Sequence, residues 1–69
     1  MSEEEVRKFI ICRTLSRIFT KAKWERSTIE AMKNLGLILP EEWADLKELL
    51  EKLEKRAFES MKKYSCTSE

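Results

Sequence analysis

At 69 residues the chain is one domain at most. A chain this short buries only roughly 60% of its unfolded surface, so its folding is marginal without a partner, a second copy or a staple. Hydrophobic residues at 42% and charged residues at 39% exclude a disordered polypeptide, and one Gly with one Pro excludes a loop-rich fold. The net charge of +1 hides an uneven placement. Residues 7 to 26 carry Arg7, Lys8, Arg13, Arg17, Lys21, Lys23 and Arg26 against one acid, Glu25, whereas Glu3 to Glu5 and the stretch from Glu41 to Glu54 are acidic.

Ser2 followed by Glu5 is an S-x-x-E capping box, and the three leading acids suit the positive end of a helix dipole. From there Ile11, Leu15, Ile18 and Ala22 recur at helical spacing, widened by Cys12 and Phe19, with Arg7, Arg17 and Lys21 opposite. This predicts a first helix over about residues 3–24. Ser27 and Glu30 repeat the capping-box pattern, which predicts a break near residues 26–28 and a short second helix over about 28–35. The alternative is one continuous helix from 3 to 35, since nothing between Lys23 and Thr28 forbids it.

Gly36 suits a left-handed helix end, and Pro40 with Glu41, Glu42 and Asp45 suits the start of the next helix. The connection Leu37-Ile38-Leu39 is expected to pack beneath the bundle. A last helix is predicted over about 41–64, where Trp43, Leu46, Leu50, Leu53, Ala57, Ser60 and Tyr64 form a heptad seam broadened by Leu49 and Met61. Glu48 with Lys52, Glu51 with Lys55, and Glu59 with Lys63 stand four apart in the favourable order. Residues 65–69 read as a frayed polar tail. The expected fold is all-α: a single small helical bundle spanning 1–69, a bent helical hairpin of two to three helices whose C-terminal helix runs antiparallel to the first.

The acidic N-terminus and the interruption at Arg13 argue against a secretory signal, and no apolar run reaches the ~18 residues of a membrane span. A cytoplasmic protein with no membrane partner is the expectation. The absence of Gln, the single Asn and the abundance of Glu and Lys tilt the composition toward that of hyperthermophiles.

Catalysis has little to work with. There is no His and no Gly-rich phosphate loop, and the Glu residues occupy helix-surface positions opposite Lys or Arg. Two thiols far apart in sequence make no zinc site, so no enzyme, metal, cofactor or small-molecule ligand is expected. Cys12 and Cys66 read most simply as a small apolar residue on a helix face and a tail thiol. Geometry offers a second reading. In an antiparallel hairpin turning at 36–40, Leu35 faces Glu41, and counting back along both arms sets Cys12 beside Tyr64. A Cys12–Cys66 disulfide is then within reach, of a kind known inside hyperthermophiles.

The basic stripe, Arg7, Arg13, Arg17, Lys21, Lys23 and Arg26 with Trp24 among them, suits an acidic protein or nucleic acid. It equally suits a solvated face or pairing with the acidic face of the last helix. Residues 28–50 have the outline of a helix-turn-helix, but Pro40, Glu41, Glu42 and Asp45 at the reading tip would repel phosphate. Val6, Phe9 and Ile10 lie roughly opposite Leu15 and Ala22, and in a continuous helix Trp24 and Leu35 join that second face. A two-helix hairpin cannot cover both. The sequence therefore predicts a non-catalytic protein-interaction module, an accessory subunit or adaptor docking through Val6, Phe9, Ile10 and Trp24. Sequence-independent nucleic-acid binding through the basic helix is the alternative, and a homo-oligomer is compatible with both.

Overall fold

The computed structural model describes residues 2–66 and contains two helices, α1 (Glu3–Asn34) and α2 (Pro40–Lys63), packed as an all-α hairpin. The capping box at the head of α1 forms as its spacing predicts. The Ser2 hydroxyl accepts from the Glu5 N–H at 3.1 Å, and the Glu5 carboxylate accepts from the Ser2 N–H at 3.0 Å. Gly36 ends α1 with φ +77°, so that its N–H donates to the Lys33 carbonyl and the Leu37 N–H to that of Met32. These two bonds satisfy carbonyls that the helix end would otherwise orphan. Pro40 then opens α2, and the Leu39 N–H donates to the Glu42 carboxylate at 2.8 Å.

The break expected near residues 26–28 does not occur: α1 runs unbroken through Arg26, Ser27 and Thr28. The capping-box signal of Ser27 and Glu30 is local, and a chain segment without Gly or Pro has no reason to leave the helix. The Thr28 hydroxyl folds back onto the Trp24 carbonyl at 3.1 Å, an internal helix bond and not the cap of a new start. Residues 28–34 therefore belong to α1 and do not form a helix of their own. The connection after Gly36 also departs from expectation. Leu37 and Leu39 are exposed and Ile38 alone is half-buried, because a hairpin offers no third helix to pack beneath.

At the other end Ser65 takes a left-handed backbone with φ 55°, its N–H donating to the Lys62 carbonyl and the Cys66 N–H to that of Met61. This turn repeats the Gly36 arrangement and folds residues 65–66 back against α2, where a frayed tail was expected. Residues 67–69 of that tail lie outside the described residues. The turn sets Cys66 opposite Cys12, and the two sulfurs are bonded, with the Cα atoms 5.4 Å apart.

Between the helices the packing is thin. Ala22 and Ala57 are the only buried hydrophobic residues among those described, and no large side chain is fully enclosed. Ile11, Cys12, Leu15, Ile18, Phe19 and Ile29 of α1 are half-buried along the predicted face, against Trp43, Leu50 and Met61 of α2. Phe19 and Phe58 meet with ring centroids 6.1 Å apart. The radius of gyration, 15.4 Å, exceeds the about 11 Å of a compact chain of this length, and the extents of 51 × 19 × 16 Å describe a flat rod.

Candidate interaction surfaces

The two broad sides of this rod differ. On one side α1 and α2 are laced by charge. Arg26 reaches across the hairpin: its Nε engages Glu54 Oε2, its Nη2 donates to Glu54 Oε1 at 3.2 Å, and its Nη1 lies 3.6 Å from Glu51. Arg26 Nε and Glu54 Oε2 are screened from solvent and are each other's partners. Above Trp43 stand two ammonium groups, Lys33 at 3.7 Å and Lys47 at 4.9 Å from the ring centroid. Lys23 covers Phe19 and Lys62 covers Phe58, each at 5.2 Å. Every aromatic ring on this side carries a cation above it.

The other side is apolar and open. A groove of about 790 Å³ runs between the helices, lined by Ile18, Ala22, Trp24, Thr28, Leu50 and Leu53, with Arg17, Lys21 and Glu25 at its rim. Trp24 is 71% exposed, and Leu46, Leu49 and Leu53 form an exposed row along α2. The heptad reading expected Leu46 and Leu53 inside. The strip that one helix can cover on another is narrow, and here it runs through Trp43, Lys47, Leu50, Glu54 and Ala57, where Arg26 draws Glu54 inward. The leucine row is thus left outside, and it is the surface that reasoning from the sequence missed. Its signal was a stripe broader than a hairpin can bury.

The four expected docking anchors separate into two places. Val6, Phe9 and Ile10 lie together in the first turns of α1, with Phe9 60% and Ile10 56% exposed. Almost four helical turns, about 20 Å, part Ile10 from Trp24. Trp24 belongs to the groove instead. Leu35, Leu37 and Leu39 form a third exposed group at the hairpin tip.

The basic stripe also divides. Arg26 turns inward to Glu51 and Glu54 and is therefore no surface contact for an acidic partner, which corrects the expectation for that residue. Arg7 pairs with Glu3 at 3.6 Å and Lys21 with Glu25 at 3.7 Å, each a solvent-exposed contact of little energetic weight. Lys23 leans over Phe19 on the charged side. Among the described residues Arg13 and Arg17 form no ion pair, and both are exposed on the flank of α1 that carries Trp24. On α2, Glu48 and Lys52 pair at 3.2 Å as their spacing predicts, while Glu51 serves Arg26.

Among the described residues, no group of three His, Cys, Asp or Glu side chains converges as for a metal, and no helix is long and apolar enough to cross a membrane. Comparison with protein-family models, with curated proteins and with solved structures finds no match to this chain.

Proposed function

We propose that this chain is a small non-catalytic interaction module, an accessory subunit or adaptor, which docks onto a larger protein through Val6, Phe9 and Ile10. One observation carries the reading: Phe9 and Ile10, adjacent on the first turns of α1, leave more than half of their surface to solvent. Apolar side chains grouped in this way, and not scattered singly, suit a docking surface. Arg13 and Arg17, one turn and two turns further along, would steer the module toward an acidic surface and raise its association rate. The absence of His and of a glycine-rich loop suits a non-catalytic role. A cytoplasmic setting fits the Cys12–Cys66 bond in hosts that keep intracellular disulfides, as hyperthermophiles do.

Affinity capture from the native host with the oxidised chain tests this reading. The wild type is expected to retain a protein partner, and Phe9→Ala with Ile10→Ala to lose it, since removing apolar anchors at the centre of an interface costs about 2 kcal/mol or more each. Arg13→Ala with Arg17→Ala should slow association and weaken its salt dependence while retaining the partner. Unchanged capture by the Phe9/Ile10 variant would remove the proposal.

A second reading rests on Arg13 and Arg17, which form no ion pair among the described residues, on the same flank of α1 as the exposed Trp24 ring, an arrangement suited to phosphates and a stacked base. It requires retention of single- or double-stranded DNA or RNA at low salt, falling steeply as salt rises.

A further inference from the structure

We infer that the open apolar side of the hairpin is the interface of a two-fold homodimer, in which two chains stack groove to groove as a four-helix bundle. The inference rests on reading exposed apolar surface here as binding surface, but it concerns the groove at Trp24, about 20 Å along α1 from Ile10.

Three observations point to a second copy. The first is the missing core. A hairpin whose fully buried apolar residues are Ala22 and Ala57 has enclosed no large side chain, and the Cys12–Cys66 staple holds the helices together without covering their apolar side, which a second copy would do. The second is the asymmetry of the two sides. Lysines and the Arg26 pairs roof the aromatic side, whereas among the described residues no ion pair crosses the groove side and no cation stands over Trp24. The third is size and shape. Over the about 35 Å where the two helices lie side by side, a width of 19 Å presents about 650 Å² in projection, and the corrugated accessible surface on it is larger, close to the about 800 Å² per partner of a standard interface.

The side is also complementary to itself. The row Leu46, Leu49 and Leu53 stands as a ridge beside the groove it borders, so the ridge of one chain can enter the groove of the other. A two-fold contact of this kind uses one patch twice and closes at two chains. At the rim Lys21 lies 3.7 Å from Glu25 of its own chain, whereas Arg17 pairs with no acid among the described residues and has to stay in solvent as the rims approach. Stacked this way, the hairpins would enclose Leu50, Leu53 and Trp24 in a core that neither chain possesses alone.

Light scattering on a sizing column tests the inference with the oxidised full chain. The expected mass is twice 8.2 kDa at micromolar concentration. Leu49→Glu with Leu53→Glu should return the chain to its single mass, weakening association by more than about 100-fold by setting carboxylates against an apolar row. Both positions are exposed in the hairpin, so helicity and the disulfide should persist, and capture of a partner through Phe9 and Ile10 should continue. In a Trp43→Phe background, Trp24 emission should shift to the red on dilution as the pair separates. This readout needs no change in the interface. A wild-type mass of one chain, a concentration-independent Trp24 emission, or an open series of larger species would overturn the homodimer. Loss of partner capture by the Phe9/Ile10 variant, with a wild type of single mass, would overturn it while leaving the docking proposal standing.

Discussion

Replacing Cys12 and Cys66 together by Ser is expected to lower the melting temperature of the hairpin by on the order of 15–30 °C. The bond closes a loop across a sequence separation of 54 residues. In the chain-entropy account, a loop of that length withholds roughly 4 kcal/mol of freedom from the unfolded chain. A single small core rarely supplies more than about 3–5 kcal/mol, and this hairpin buries two alanines where such a core would be. The bond also lies far from the Gly36 turn, so it ties the C-terminal end of α2 to α1 at Cys12, where the two helices would otherwise part. The measurement is far-UV circular dichroism of oxidised, reduced and Cys12→Ser/Cys66→Ser proteins on heating. Reduced wild type should follow the double variant. A melting temperature that falls by less than about 5 °C would show that the helices hold each other without the staple.

Arg26→Ala is expected to cost about 2 kcal/mol. Two contacts bind the guanidinium to Glu54 and a third reaches Glu51, and the Glu54 side chain is only 12% exposed. Removing the cation strands a shielded carboxylate. Breaking a fully buried pair costs 3–5 kcal/mol, and the 35% exposure of the Arg26 side chain lowers the figure here. Arg26→Lys should recover only part of the loss, because an ammonium cannot reproduce the forked contacts of the guanidinium. Arg26→Met with Glu54→Leu supplies the discriminating arm. An apolar pair of similar volume commonly replaces a buried ion pair at little cost, so the double variant should lie within about 1 kcal/mol of wild type in urea unfolding. If the double variant is as unstable as Arg26→Ala, the loss reflects packing and not a stranded charge.

These expectations show which parts of the structure could be read from the residues. The ends of the helices were legible because each is fixed by a short-range rule: Ser2 with Glu5, Gly36 at its left-handed turn, and Pro40 at the next start. The antiparallel register was legible by counting, which set Cys12 near Tyr64 and within reach of Cys66, so the simpler reading of the two cysteines as unpaired thiols does not hold. The continuity of α1 through Ser27 was obscured by a second local rule pointing to a start that the longer helix overrides. The identity of the seam on α2 was obscured for a different reason. Hydrophobic spacing ranks Leu46 and Leu53 as core, but it does not register that Glu54 occupies the contact strip opposite Arg26 while the leucines stand at its edge. The candidate surfaces followed the same pattern. Val6, Phe9 and Ile10 were readable as apolar residues on the wrong face of an amphipathic helix. The leucine row is not legible in the same way, because its exposure depends on the hairpin having no third helix among the described residues to cover it.

On the proposed docking function, the large apolar side chains of α1's first turns form a binding surface and not a core. The unfolding free energy of the Phe9→Ser, Ile10→Ser double variant in urea, followed by circular dichroism on the oxidised chain, tests it most directly. Both residues stand in solvent in the hairpin, so each substitution should change stability by no more than about 0.5 kcal/mol. Partner capture should nevertheless be lost. A cost of 2–5 kcal/mol, the size of a core truncation, would place these residues inside the folded protein and contradict the account.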